Sequence, residues 1–158
     1  MLIFQEKKIM ISESTLSAKG DVQLDLFDAD GNLKETQEIK NVVVTVGLGY
    51  IASRMKDATA TAMSHMAIGS NNTAAAAGNT ALGTELGRVA LTSTTVSTNT
   101  VQYIGDFPAG TGTGAVVEAG VLNASSSGTM LCRTVFSVVN KGASDTLKVT
   151  WTITVSDS

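Results

Sequence analysis

Asp28, Asp30 and Asn32 stand at alternate positions in the run DADGN, the spacing with which a calcium loop opens. The twelfth position counted from Asp28 is Ile39, where such a loop needs a bidentate glutamate, so a hairpin turn is expected instead. Gly110 to Gly114, GTGTG, has the glycine density of a phosphate loop, but no Gly-Lys-Ser/Thr ending follows and the next residues read as a strand, so a mobile connection is expected. His65 is the single histidine and Cys132 the single cysteine. Neither has a partner at zinc-ligand spacing, a cysteine or serine nucleophile would have one imidazole to draw on, and no GxSxG elbow is present. Both are read as structural, with Cys132 in a buried or half-buried strand. No catalytic residue, metal or cofactor is assigned.

The charged residues that stand out are two pairs, Glu85 with Arg88 and Glu118 with Arg133. The second pair falls in a strand-loop-strand pattern from Val116 to Val139. If the serine loop at 125–127 sets Leu122 opposite Thr129, then Glu118 faces Arg133 directly, and opposed charges there specify the hairpin register. Elsewhere charge is sparse. Charged residues are 16% of the chain, aromatics 4% and hydrophobics 43%, with a net charge of −3. That excludes a basic face for nucleic acid, and the long uncharged stretch between Ala58 and Leu82 holds too much Ser, Thr, Asn and Gly for a membrane span. The amino terminus, MLIFQEKKIMISES, places apolar residues before its lysines, the reverse of a signal peptide, so synthesis in a reducing cytoplasm is expected. Carbohydrate binding would need an aromatic platform or an acid pair, and Trp151, Tyr50 and Tyr103 are scattered.

The elements that must position these residues are mostly strands. At 158 residues one domain is expected. VQLDLFD and LKETQEIKNVVVTV flank the DADGN turn as a hairpin. GLGYIASRMK, about residues 47–56, has helical spacing that puts Leu48, Ile51, Ala52 and Met55 on one face. MSHMAIG reads as a strand, Ser70 to Gly78 as a surface loop, and five further strand-like runs follow Arg88. In the last, Leu147, Val149, Trp151, Ile153 and Val155 share one face. The expected fold is all-β: an antiparallel β-sandwich or jelly-roll-like barrel with one short helix, comprising an amino-terminal arm at 1–19 and a domain at 20–158.

The combination of MAIG, a small-residue linker, TALGTELGR, VVEAGVLNASSSGTMLCRTVFS and a final WTITVS strand resembles a group of tailed-bacteriophage virion proteins, covering roughly Met63 to Val155. Some of these are small head-decoration (cement) proteins and others tail-collar or tail-fibre modules. The collar pattern Thr-x-Leu-x-x-Glu-hydrophobic-x-Arg is met approximately by Thr80, Leu82, Glu85 and Arg88, and a Glu-x-Gly-hydrophobic-hydrophobic hairpin by Glu118, Gly120, Val121 and Leu122. Collar modules usually carry prolines and acids in the linker, where this chain has NNTAAAAGN. The resemblance implies a non-enzymatic structural protein in the virion, a homo-oligomer (a trimer), bound to the major capsid protein or another virion protein. A capsid decoration protein leads, with a tail-fibre or baseplate adaptor as the alternative and a host-surface carbohydrate binder third. Glu85 with Arg88 is expected to anchor the 70–78 loop. The apolar Leu2, Ile3 and Phe4 of the arm are expected to pair with a neighbouring subunit or the capsid shell.

Overall fold

Ten strands and one helix make two open, antiparallel five-stranded sheets packed face to face in the computed structural model, which describes residues 15–56 and 60–157. The strands are β1 (Leu16–Phe27), β2 (Leu33–Lys40), β3 (Val42–Val43), β4 (His65–Gly69), β5 (Glu85–Ala90), β6 (Ser93–Ser97), β7 (Thr100–Phe107), β8 (Gly114–Leu122), β9 (Met130–Lys141) and β10 (Thr146–Asp157), with α1 at Thr45–Ser53. One sheet runs β2-β1-β10-β7-β6 and the other β3-β9-β8-β4-β5. The fold is therefore a sandwich and not a closed barrel. The chain changes sheet four times, so neighbours far apart in sequence lock together: β10 inserts between β1 and β7.

Period-two patterning explains the core. Val22, Leu24 and Leu26 of β1 and Leu147, Val149, Trp151 and Ile153 of β10 are buried, while Lys148, Thr150, Thr152 and Thr154 lie on the other face. Burying such side chains contributes about 1.5–3 kcal/mol each. The DADGN turn forms as expected. Gly31 sits at φ +84°, and one Asp28 carboxylate oxygen accepts from the Asp30 and Asn32 N–H groups at 2.9 and 2.8 Å. The 110–114 connection is tied down: the Gly110 N–H donates to the Ala143 carbonyl at 2.8 Å, and Gly112, at φ +66°, lies where a Cβ would come within 2.5 Å of Ile68 Cδ1.

Two expected boundaries move. Residues 16–19 belong to β1, with Leu16 paired to Asp157 and Lys19 to Thr154, so the sandwich begins earlier than residue 20. Leu2, Ile3 and Phe4 lie outside the described residues. The helix occupies Thr45–Ser53, two to three residues earlier than the expected 47–56, and of the expected apolar face Ile51 alone packs against the core. Gly47 is its buried position, whereas Leu48 and Met55 are 48% and 84% exposed. The reason is a close backbone approach, since a Cβ on Gly47 would lie 2.1 Å from the Leu131 carbonyl oxygen. With that contact at the centre, Tyr50 and Ile51 turn toward the core and Leu48 turns out.

Gly49 provides the internal control, because nothing lies within 4 Å of its would-be Cβ. Gly49→Ala is expected to stabilise the protein by up to about 1 kcal/mol through helix propensity. Gly47→Ala is expected to destabilise it by about 1–3 kcal/mol through overpacking. Urea unfolding of both variants measures the difference in sign.

Candidate functional site

The motif residues converge on the outer face of the second sheet. Gly69 of β4 pairs with Glu118 of β8 on one side and Glu85 of β5 on the other, and the adjacent row runs Arg88, Ala67, Gly120, Arg133. Because Ile68 pairs with Gly87 and Gly69 with Glu85, Leu86 is an extra, bulged residue in β5. Without it, residues three apart on a strand would point to opposite faces. With it, Glu85 and Arg88 share one face and form a two-pronged ion pair at 2.6 and 2.9 Å.

The register expected for the β8–β9 hairpin is corrected. Leu122 faces Met130, and Leu131 is bulged out, so Arg133 lies opposite Gly120 and Glu118 lies opposite Val135. Glu118 and Arg133 still share a face because the displacement is two residues, and they meet diagonally. Arg133 donates from Nε and Nη2 to Glu118 Oε2 at 3.0 and 2.8 Å. Both side chains are buried.

Glu118 organises the loop that crosses above it. Its Oε1 accepts from the Asn71 and Thr84 backbone N–H groups at 3.1 and 2.8 Å, and its Oε2 also accepts from the Gly83 N–H at 2.9 Å. Both ends of the 70–84 loop are thus held by one carboxylate. Arg133 holds the middle, donating to the Thr73 carbonyl at 3.0 Å and to Asn79 Oδ1 at 3.1 Å. The far side is tied to the helix, where the Thr45 N–H meets the Ala77 carbonyl at 2.7 Å. Gly69 makes room for the arrangement, since a Cβ there would lie 2.4 Å from both Glu118 Oε1 and the Thr84 carbonyl oxygen. Beneath the loop Val44, Ala67, Leu122 and Met130 form a small second core, closed by Leu82. Burial works to raise the Glu118 pKa, but the hydrogen bonds from Thr84, Gly83, Arg133 and Asn71 outweigh it and hold the carboxyl below its ordinary range.

The anchor of the 70–78 loop is therefore Glu118 with Arg133, and not the expected Glu85 with Arg88. Arg88 serves a second loop, donating from Nη1 to the Ala124 and Ser127 carbonyls at 2.9 and 3.0 Å. The two loops present Asn72–Ala74, Ala76–Gly78 and Ser125–Gly128 as exposed, uncharged surface held rigidly from behind.

The other candidates are placed apart from this site. Cys132 is buried, and burial pushes its thiol well above the usual range. His65 Nδ1 is 2.8 Å from the Ser64 hydroxyl. Among the described residues no cluster of three or more His, Cys, Asp or Glu could hold a metal ion. Trp151 and Tyr103 are buried in the core and form no sugar platform. Lys141 was not legible in the sequence, where a lysine closing a strand reads as a solvated charge. It is buried, and its Nζ donates to the Pro108 and Asp145 carbonyls at 3.0 and 2.8 Å, joining two turns. Burial lowers its pKa, opposed by the Asp145 carboxylate.

A second surface surrounds α1. A groove of about 380 Å³ lies between α1 and the inner face of β6 and β7, lined by Tyr50, Ile51, Val96, Val101, Tyr103 and Val155 among others. A smaller one of about 130 Å³, lined by Leu16, Leu48, Met55 and also by Ile51 and Val155, flanks the helix on its other side. Burial pushes the Tyr103 phenol up to about 12. No protein family, curated protein or solved structure matches the chain.

Glu118→Gln is expected to destabilise the protein by about 3 kcal/mol or more, because either way round the amide NH2 must face donors, the Gly83 N–H and Arg133 in one orientation or the Asn71 and Thr84 N–H groups in the other. The folded-state pKa of Glu118 is lowered, so its stabilisation is fully present above the unfolded carboxylate value near about 4.3 and is lost as pH falls through the folded value. The stability gap between wild type and variant should therefore be constant at neutral pH and narrow in acid, as measured by urea unfolding across pH.

Proposed function

We propose that the chain is a non-enzymatic structural protein of a tailed-phage virion, a capsid decoration protein that assembles with copies of itself and clamps the major capsid shell. The observation that carries this reading is the rigid, uncharged surface of the 70–84 and 123–129 loops, held by buried Glu118 and Arg133 and by Arg88. A surface of small residues without charge is cheap to desolvate, and its ordering entropy is already spent in folding, so it suits a permanent protein contact. The motif residues shared with virion modules, Gly69, Leu82, Glu85, Arg88, Glu118 and Gly120, are the ones that build this surface.

Purified particles provide the test. The protein should be present at a copy number proportional to the capsid subunits, by quantitative mass spectrometry. A few copies per particle would place it on the tail as an adaptor, and absence from particles would overturn the proposal. Ala74→Arg, which alters an exposed loop position, is expected to weaken capsid binding about tenfold or more while leaving the unfolding midpoint unchanged.

A further inference from the structure

Five exposed large apolar residues gather around the helix and its two grooves: Leu16 at 70%, Val46 at 39%, Leu48 at 48%, Met55 at 84% and Val96 at 71%. The grooves share Ile51 and Val155, so they form one apolar band across the end of the sandwich. The band adjoins a strand edge, since among the described residues β6 is hydrogen-bonded to β7 alone. The other edges differ. β2 carries Lys34, Glu35, Glu38 and Lys40, β5 carries Glu85 and Arg88, and β3 has two residues, whereas β6 is Ser-Thr-Thr-Val-Ser with no charge to repel an added strand.

We infer that residues 1–14 of a second copy of this chain occupy the band, adding an extended segment to the β6 edge and seating Leu2, Ile3 and Phe4 between β6 and α1. The inference rests on the self-association in the proposed function and assigns its receiving site. The segment carries the apolar runs Met1–Phe4 and Ile9–Ile11, which match an apolar groove, and strand addition supplies the backbone pairing that an uncharged edge leaves open. Fourteen extended residues span about 45 Å, enough to reach a neighbouring molecule. A second copy is favoured over the same chain by direction. β1 begins at Leu16 beside Asp157, three strands away from β6, so reaching its own β6 requires the chain to double back across the ends of β10 and β7.

The test uses the purified full chain. Light scattering should give an oligomer that becomes monomeric on deletion of residues 1–14, and that also becomes monomeric in Val96→Glu, a substitution at a 71% exposed position expected to leave the unfolding midpoint unchanged. Phe4→Cys and Val96→Cys chains, each made separately and then mixed under mild oxidation, should yield a disulfide-linked heterodimer, while buried Cys132 stays unreactive. A monomeric full chain, an oligomer indifferent to both changes, or a Phe4→Cys/Val96→Cys double variant that closes its bond within one chain would each overturn the inference. None of these results bears on whether the protein is found in particles, so the two proposals fail separately.

Discussion

A carboxylate taken wholly out of water must be matched donor for donor, and Glu118 makes that requirement the organising constraint of this structure. Leaving it unpaired would cost several kcal/mol, whereas each charge-assisted hydrogen bond returns about 1.5–3 kcal/mol. Five donors converge on its two oxygens, three from the backbone of one loop and two from Arg133. Satisfying the charge and ordering the loop are therefore the same event. The glycine at 69 follows from it, because the carboxylate occupies the space its side chain would fill, whereas at Gly120 that space is taken by Met130, Leu82 and the Cys132 carbonyl.

The constraint also makes the two sheets unlike each other. The second sheet is covered on its outer face by the 70–84 loop and a small apolar cluster, so β4 and much of β8 are buried on both sides. The first sheet presents a polar outer face, where Asp21, Gln23, Glu38, Lys40, Gln102, Thr150 and Thr152 line a shallow depression of about 430 Å³. Exposed large apolar side chains are concentrated instead at the end beside α1, where β6 and β7 line a groove with the helix. One region is rigid and bland, another is apolar with a strand edge, and both are surfaces on which protein can pack.

Much of this is legible in the amino-acid sequence. Alternation in Leu147 to Val155 gave the buried face of β10, the DADGN run gave the first turn, and the sparse charge made Glu118 and Arg133 conspicuous. What failed did so for identifiable reasons. Of the apolar spacing Leu48, Ile51, Ala52 and Met55, Ile51 alone packs on the core, because the packing is decided by how closely the backbone at Gly47 can approach Leu131, a contact between segments more than eighty residues apart. The β8–β9 register is displaced by two residues, one because the turn sets Leu122 opposite Met130 and one because Leu131 is bulged, and neither leaves a local signal.

By itself the amino-acid sequence determined the class of fold and the identity of the charged pair, since strand alternation and turn chemistry are local properties of the chain. Tertiary structure alone decided what the pair does. Which backbone N–H groups reach Glu118, that Arg88 holds the 123–129 turn and not the 70–78 loop, and that Lys141 is buried against two carbonyls all depend on segments brought together from distant parts of the chain. Local patterns carry no record of those meetings, because in each one partner is a backbone N–H or carbonyl, groups that nearly every residue type possesses alike.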